Sequence, residues 1–197
     1  KNTLYPPPFT VDTEKVFKFG SLVDAIITEP DRVDFYNFKV DEVQYLEEDF
    51  QLALEMRKSL YAESRKDPFL ANVLKHSDTQ KVSIRQNQPF DYFGFEYTLN
   101  TRCKWDWFIS AANFGGDLKT TAASSQSEFE QAIDFFDWDR SRAWYMDIVG
   151  SNQDFIYAIS KKNCKVFKHF INRGDKTYIN GKEKYDELAF KYWQLIE

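Results

Sequence analysis

FGGDLKTTA, Phe114 to Ala122, puts an acid and a base two positions apart on a segment that reads as a turn running into a strand. Side chains alternate along a strand, so Asp117 and Lys119 share one face while Leu118 enters the opposite layer. A carboxylate and an ammonium held this way form either a cross-strand charge pair or a metal ligand beside a reacting group's counter-charge. Upstream, RCKWDWF (102–108) alternates in the same manner: Arg102, Lys104 and Asp106 on one face, Cys103, Trp105 and Trp107 on the other. If the two strands pair, both aspartates and several cations meet on one sheet surface. Carboxylate oxygens from adjacent strands are what a hard ion such as Mg²⁺ or Mn²⁺ takes.

Around this pair the period of hydrophobicity gives an α+β order. Phe19, Leu22, Val23, Ile26 and Ile27 follow helical spacing up to Pro30, after an extended lead-in at PPPF (6–9). A second helix is predicted over about Val43 to Ser64, with Leu46, Phe50, Ala53, Leu54 and Leu60 inward. A short third helix fits PFLANVLK (68–75), since proline suits a first helical position. From Lys81 the period is two through KVSIRQ, FGFEYTL and RCKWDWFIS, with a hairpin predicted at Asn100–Thr101. Helical spacing returns at Phe129, Ala132, Ile133 and Phe136, where Ser124–Ser125 and Glu128 read as a capping box. It continues across SRAWYMDIV. DFIYAIS and CKVFKHFI read as a hairpin turning at Lys162–Asn163, and KEKYDELAFKYWQLIE reads as a last helix.

The 197 residues suit one domain, taken as 1–197, and 18% aromatic content supplies its core. No apolar run is long enough for a membrane span and no signal peptide is visible; Lys1 reads as a boundary rather than a natural start. Cys103 and Cys164 form no C-x-x-C pair, so two buried thiols in a reducing cytosol are expected. A net charge of −5 argues against general nucleic-acid coating but leaves room for a local basic patch such as KKNCKVFKHF. His76 and His169 lie in unrelated segments, against a histidine triad or zinc site, and neither a Walker A loop nor a dinucleotide fingerprint occurs.

Over most of its length the chain resembles the PD-(D/E)xK nuclease superfamily, in particular the RecE-like branch of phage and prophage exonucleases. KWDW resembles the first acidic strand, with Asp106 in the aspartate position, and GGDLKTT resembles the D-x-K strand. FGSLVDAIITEP resembles the upstream helix that reads G-x-x-x-H in relatives; Asp24 stands where they have histidine. The relatives' glutamine, four residues before a tyrosine, falls on Ser141, and Tyr145 is kept.

The resemblance implies a restriction-endonuclease-like core, a mixed central sheet flanked by helices. It implies Asp24, Asp106, Asp117 and the Leu118 carbonyl as ligands of Mg²⁺ or Mn²⁺, with Lys119 beside the reacting phosphate. Thr120, Ser141, Tyr145, Arg102 and Lys104 would support the site or touch DNA. Linear double-stranded DNA ends, a homo-oligomeric ring, a recombination partner protein, a prophage role and a cytoplasmic setting are implied in the same way. Two other classes stay open: a catalytically silent nuclease fold that binds DNA or a partner, and an aromatic-rich module for carbohydrate or peptide.

Overall fold

A computed structural model describes residues 13–196; the lead-in read at PPPF lies outside them. The first helix, α1 (Thr13–Thr28), buries Phe19, Leu22, Val23, Ile26 and Ile27, as their spacing requires. Three two-residue strands follow, β1 (Val33–Asp34), β2 (Lys39–Val40) and β3 (Val43–Gln44), in a small antiparallel sheet that the sequence reading missed. Helix α2 therefore starts at Glu47 and runs to Ser64, four residues later than predicted. Val43 and Gln44 pair with β2 instead, and Glu47, Glu48 and Asp49 favour the helix N-terminus electrostatically. Leu46 is consequently exposed, and Met56 joins Phe50, Ala53 and Leu60 in the core. In α3 (Pro68–His76), Pro68 opens the helix and the Asp67 carboxylate caps it, accepting from the Phe69 and Leu70 amides.

The main sheet has five strands in sequence order: β4 (Asp78–Tyr92), β5 (Phe95–Ile109), β6 (Phe114–Thr121), β7 (Gln153–Ser160) and β8 (Val166–Asn172). All neighbours are antiparallel except β6 and β7. The β6–β7 connection crosses over through α4 (Gln126–Phe135) and α5 (Trp138–Val149), and α6 (Lys176–Ile196) closes the chain. One face of the sheet packs Trp107, Leu118, Phe155, Tyr157 and Ile159 against α1–α3. The other packs Ile156, Ala158, Phe167 and Ile171 against α4–α6. The alternation of β7 between these two cores is the period-two signal of a strand covered on both sides. Strands β4 and β8 form the edges. Among the described residues no helix is long and apolar enough to cross a membrane.

The predicted hairpin at Asn100–Thr101 is displaced: β5 runs straight through those residues, and the turn is Phe93–Gly94. Both turn residues have positive φ, 52° and 84°, the combination a tight two-residue hairpin demands, and glycine supplies one of them without strain. Asn100 and Thr101 instead service a register shift between Arg85 and Gln88, accepting from the Asn87 amide and donating to the Gln88 side chain. The two glycines of GGD belong to β6 rather than to a turn. A Cβ on Gly116 would lie 2.2 Å from the Phe155 ring, and one on Gly115 2.4 Å from that of Trp105. Close approach of aromatic rings is what requires glycine there.

Candidate functional site

Strands β5 and β6 are paired only from Ile109–Phe114 to Trp107–Gly116, and then they part. β5 continues alongside β4, while β6 continues alongside β7. A fork therefore opens at Asp106 and Asp117. In place of a backbone partner on β5, the Leu118 amide donates to Asp106 Oδ2 at 2.7 Å. The N–H and C=O of one strand residue point to the same side, so the Leu118 carbonyl also faces the fork.

A second irregularity aims Asp106. In the β4–β5 ladder Thr79 pairs with Trp107 and Lys81 with Trp105, but Gln80 and Asp106 between them do not pair. Gln80 has φ 53°, left-handed backbone within a strand. The sheet turns over at this break: Trp107 lies in the α1–α3 core, and Trp105 packs with Phe108 and Ile148 beneath α5. The two tryptophans were expected on one face; the kink at Gln80 separates them.

Asp117 is 6% exposed and lies on the α5 side. Its Oδ2 is ion-paired with Lys119 Nζ, and Oδ1 lies 3.8 Å from Arg142 Nη1. Burial pushes the Asp117 carboxyl upward, but the Lys119 ammonium and the Arg142 guanidinium outweigh it and hold the acid below its ordinary range. Asp106 goes the opposite way. Burial first, then the charges of Asp117 and Asp24, raise it well above the usual carboxylate value. Asp24 reaches the same neighbourhood from α1. Burial raises it too, against hydrogen bonds from Thr28 and Gln80, with Asp117 adding repulsion. Lys119 stays firmly cationic: burial opposes the charge, and Asp117 and Asp106 more than restore it.

Asp24, Asp106, Asp117 and Lys119 thus sense one another across the fork. The three carboxylates are engaged by different donors: Gln80 and Thr28 hold Asp24, the Leu118 amide holds Asp106, and Lys119 holds Asp117. Among the described residues no three His, Cys, Asp or Glu side chains stand close enough together to grip one ion.

No protein-family model matches the chain, nor does any curated protein. Among solved structures it is similar to a phage related exonuclease from Haemophilus somnus 129PT, with 11% identity, a TM-score of 0.38, and coverage of 95% of this chain and 91% of that one. It is also similar to SSO0001, with 11% identity, a TM-score of 0.39, and coverage of 86% and 74%. Likeness this distant leaves the chemistry to be argued from the chain's own residues.

The remaining sequence candidates are placed unevenly. Tyr145 is half-buried, packs edge-on against Trp105 at 5.1 Å, and holds the Arg142 guanidinium 4.0 Å above its ring. Ser141 turns away, donating to the Trp138 carbonyl of its own helix at 2.8 Å; its neighbour Arg142 is the residue of α5 that reaches Asp117. Thr120 is half-buried beside Gly20 of α1. Arg102 and Lys104 are exposed. In the basic run, Lys168 is committed to Asp67 at 2.8 Å, and Lys161 covers the Phe19 ring.

Four residues near the site escaped the sequence reading: Gln80, Thr28, Arg142 and Asp154. Arg142 is 1% exposed and lies 3.8 Å from Asp154 as well as from Asp117. A signal for it exists, because Arg142 falls within the apolar stripe Trp138–Tyr145–Met146–Val149 of α5, and a buried guanidinium requires acids. Asp154, an acid opening the apolar run of β7, is the complementary signal. For Gln80 nothing local marks the left-handed backbone.

Proposed function

We propose that the chain is a metal-dependent nuclease of the PD-(D/E)xK kind, a RecE-like exonuclease that hydrolyses phosphodiester bonds from the ends of linear double-stranded DNA. The observation that carries this reading is the fork. It sets Asp106 of β5, Asp117 and Lys119 of β6 and Asp24 of α1 within one electrostatic neighbourhood.

The donors are hard oxygens of the kind Mg²⁺ or Mn²⁺ takes; Asp24, Asp106, Asp117 and the Leu118 carbonyl would hold the ion once the three carboxylates draw together from the more separate positions they occupy here. Burial first, and neighbouring carboxylates second, raise Asp106 and Asp24, so a divalent cation bound there would favour their charged forms. Such an ion would lower the pKa of a bound water and polarise the scissile phosphate. The side chains supply the rest. Lys119, with 29% of its side chain exposed, donates from Nζ toward the attacking water or a non-bridging phosphate oxygen while Asp117 Oδ2 holds it in place. Arg142 balances Asp117 from behind. The ring assembly, the recombination partner and the cytoplasmic setting belong to the same proposal.

A second reading is a silent nuclease fold that binds DNA ends or a protein. It is favoured by Ser141, which spends its hydroxyl on its own helix, and by the lack, among the described residues, of three acids close enough to share one ion. Degradation of linear plasmid with and without Mn²⁺, against a closed circular control, separates the two. On the nuclease reading Asp117→Asn folds, binds Mn²⁺ more weakly and loses cleavage. Lys119→Ala retains Mn²⁺ but loses about 10²–10³ in rate, the scale of deleting one transition-state donor. Equal rates for Lys119→Ala and the parent chain contradict the mechanism. A parent that retains DNA ends without cutting them in any divalent ion establishes the silent fold.

A further inference from the structure

We propose that Gln80 is a positioning residue that holds the carboxylate of Asp24 toward the fork. The inference rests on the nuclease reading, in which Asp24 is a ligand. It starts from a closed ring of three side chains. Gln80 Nε2 lies 3.1 Å from Asp24 Oδ2, 3.3 Å from Asp24 Oδ1 and 2.9 Å from Thr28 Oγ1. Thr28 Oγ1 lies 3.0 Å from Asp24 Oδ1 and 2.9 Å from the Asp24 carbonyl oxygen, so its one proton is shared between carboxylate and backbone. The neighbours of the amide nitrogen are a carboxylate and a hydroxyl, so the opposite amide orientation would set oxygen against carboxylate. A carboxylate offers about four acceptor positions, and this ring leaves part of that capacity free.

The choice of residue is informative. Gln80 adopts φ 53°, in the left-handed region that strains an ordinary L-residue. Glycine would adopt that backbone without strain but has no side chain, and asparagine tolerates it better but is one methylene shorter. Glutamine is a poor choice for the backbone and the right length for the reach, since its Nε2 comes within 3.1 Å of Asp24 Oδ2 across the gap to α1. The same backbone kink interrupts the ladder opposite Asp106. One residue therefore ties α1 to β4 by its side chain and frees the Asp106 position by its main chain. Outer partners of metal ligands commonly contribute 10–100-fold in metal affinity.

The test compares Gln80→Gly and Gln80→Ala in the full chain, with Mn²⁺ titrated alone and stability measured by urea unfolding. Both variants lose the amide, but only alanine keeps the backbone strain. The proposal expects both to bind Mn²⁺ about tenfold or more weakly than the parent, and equally so, although the glycine variant is the more stable of the two. A residue that merely braces the fold would instead give affinities that follow stability, with alanine worse than glycine, and that result overturns the proposal. So does a folded glycine variant with parental Mn²⁺ affinity, which leaves the nuclease reading standing. A parent that binds no Mn²⁺ overturns both.

Discussion

Asp106 is buried within the electrostatic reach of Asp117 and Asp24, and burial first, then those two charges, raise its carboxyl well above its usual value. In the unfolded chain the same group titrates near about 3.9. Between those two values the folded protein binds more protons than the unfolded one, so this group's contribution to stability falls as pH rises through that window. Asp106→Asn removes the titration and keeps an oxygen to accept from the Leu118 amide. The variant should therefore gain on the parent in urea midpoint from pH 4 to pH 7, with little difference at the acid end, while losing metal-dependent cleavage. A gap that stays constant with pH would assign the raised acid elsewhere. At this scale the sequence was partly legible. The D-x-K spacing placed Asp117 and Lys119 on one face because strand alternation is local. The hold of Gln80 on Asp24 spans 56 residues and depends on a backbone angle that no residue type announces.

Among the elements, α5 is tied to the sheet by charge as well as by packing. Arg142 is buried between Asp117 of β6 and Asp154 of β7, each at 3.8 Å, with Trp105 and Tyr145 against its plane. Those separations exceed a direct hydrogen bond, so the attachment is mainly electrostatic. Removing one member of a buried ion group typically costs about 3–5 kcal/mol, because the partner charges are left uncompensated. Arg142→Leu should lose that much by chemical denaturation at pH 7, and Arg142→Leu with Asp154→Leu should recover a good part of it. A single-variant loss below about 1 kcal/mol would mean the charges do not hold α5. The elements most legible in sequence were those with strong period, such as α1 and β7. The misplaced β4–β5 turn shows the converse: Asn100–Thr101 keeps the buried–exposed alternation of β5 without turning, the extra residue of the register shift lying on β4 between Arg85 and Gln88, while the turn falls at Phe93–Gly94 among aromatic residues.

At the scale of the molecule, the order of helices and strands was readable, and the sheet order was not. Parallel pairing of β6 with β7 across two helices is set by how α4–α6 cover one face, a long-range outcome that local spacing leaves open. The fork is not dictated by that order, since Gly115 and Gly116 of β6 pair with β5 and β7 at once before β5 diverges. The opposite end of the sheet carries a different consequence. Over its fifteen residues β4 is paired on one side only among the described residues, and Val82 and Ile84 stand 52% and 69% exposed along it. An unpaired ladder of amides and carbonyls with apolar side chains is a template for a stray chain, and Lys81 and Arg85 act as charged gatekeepers beside it. Crowded refolding is where that template matters. Ile84→Lys, a surface change worth no more than about 0.5 kcal/mol in stability, should lower light scattering during refolding at high protein concentration. Unchanged scattering would place the misassembly on another surface.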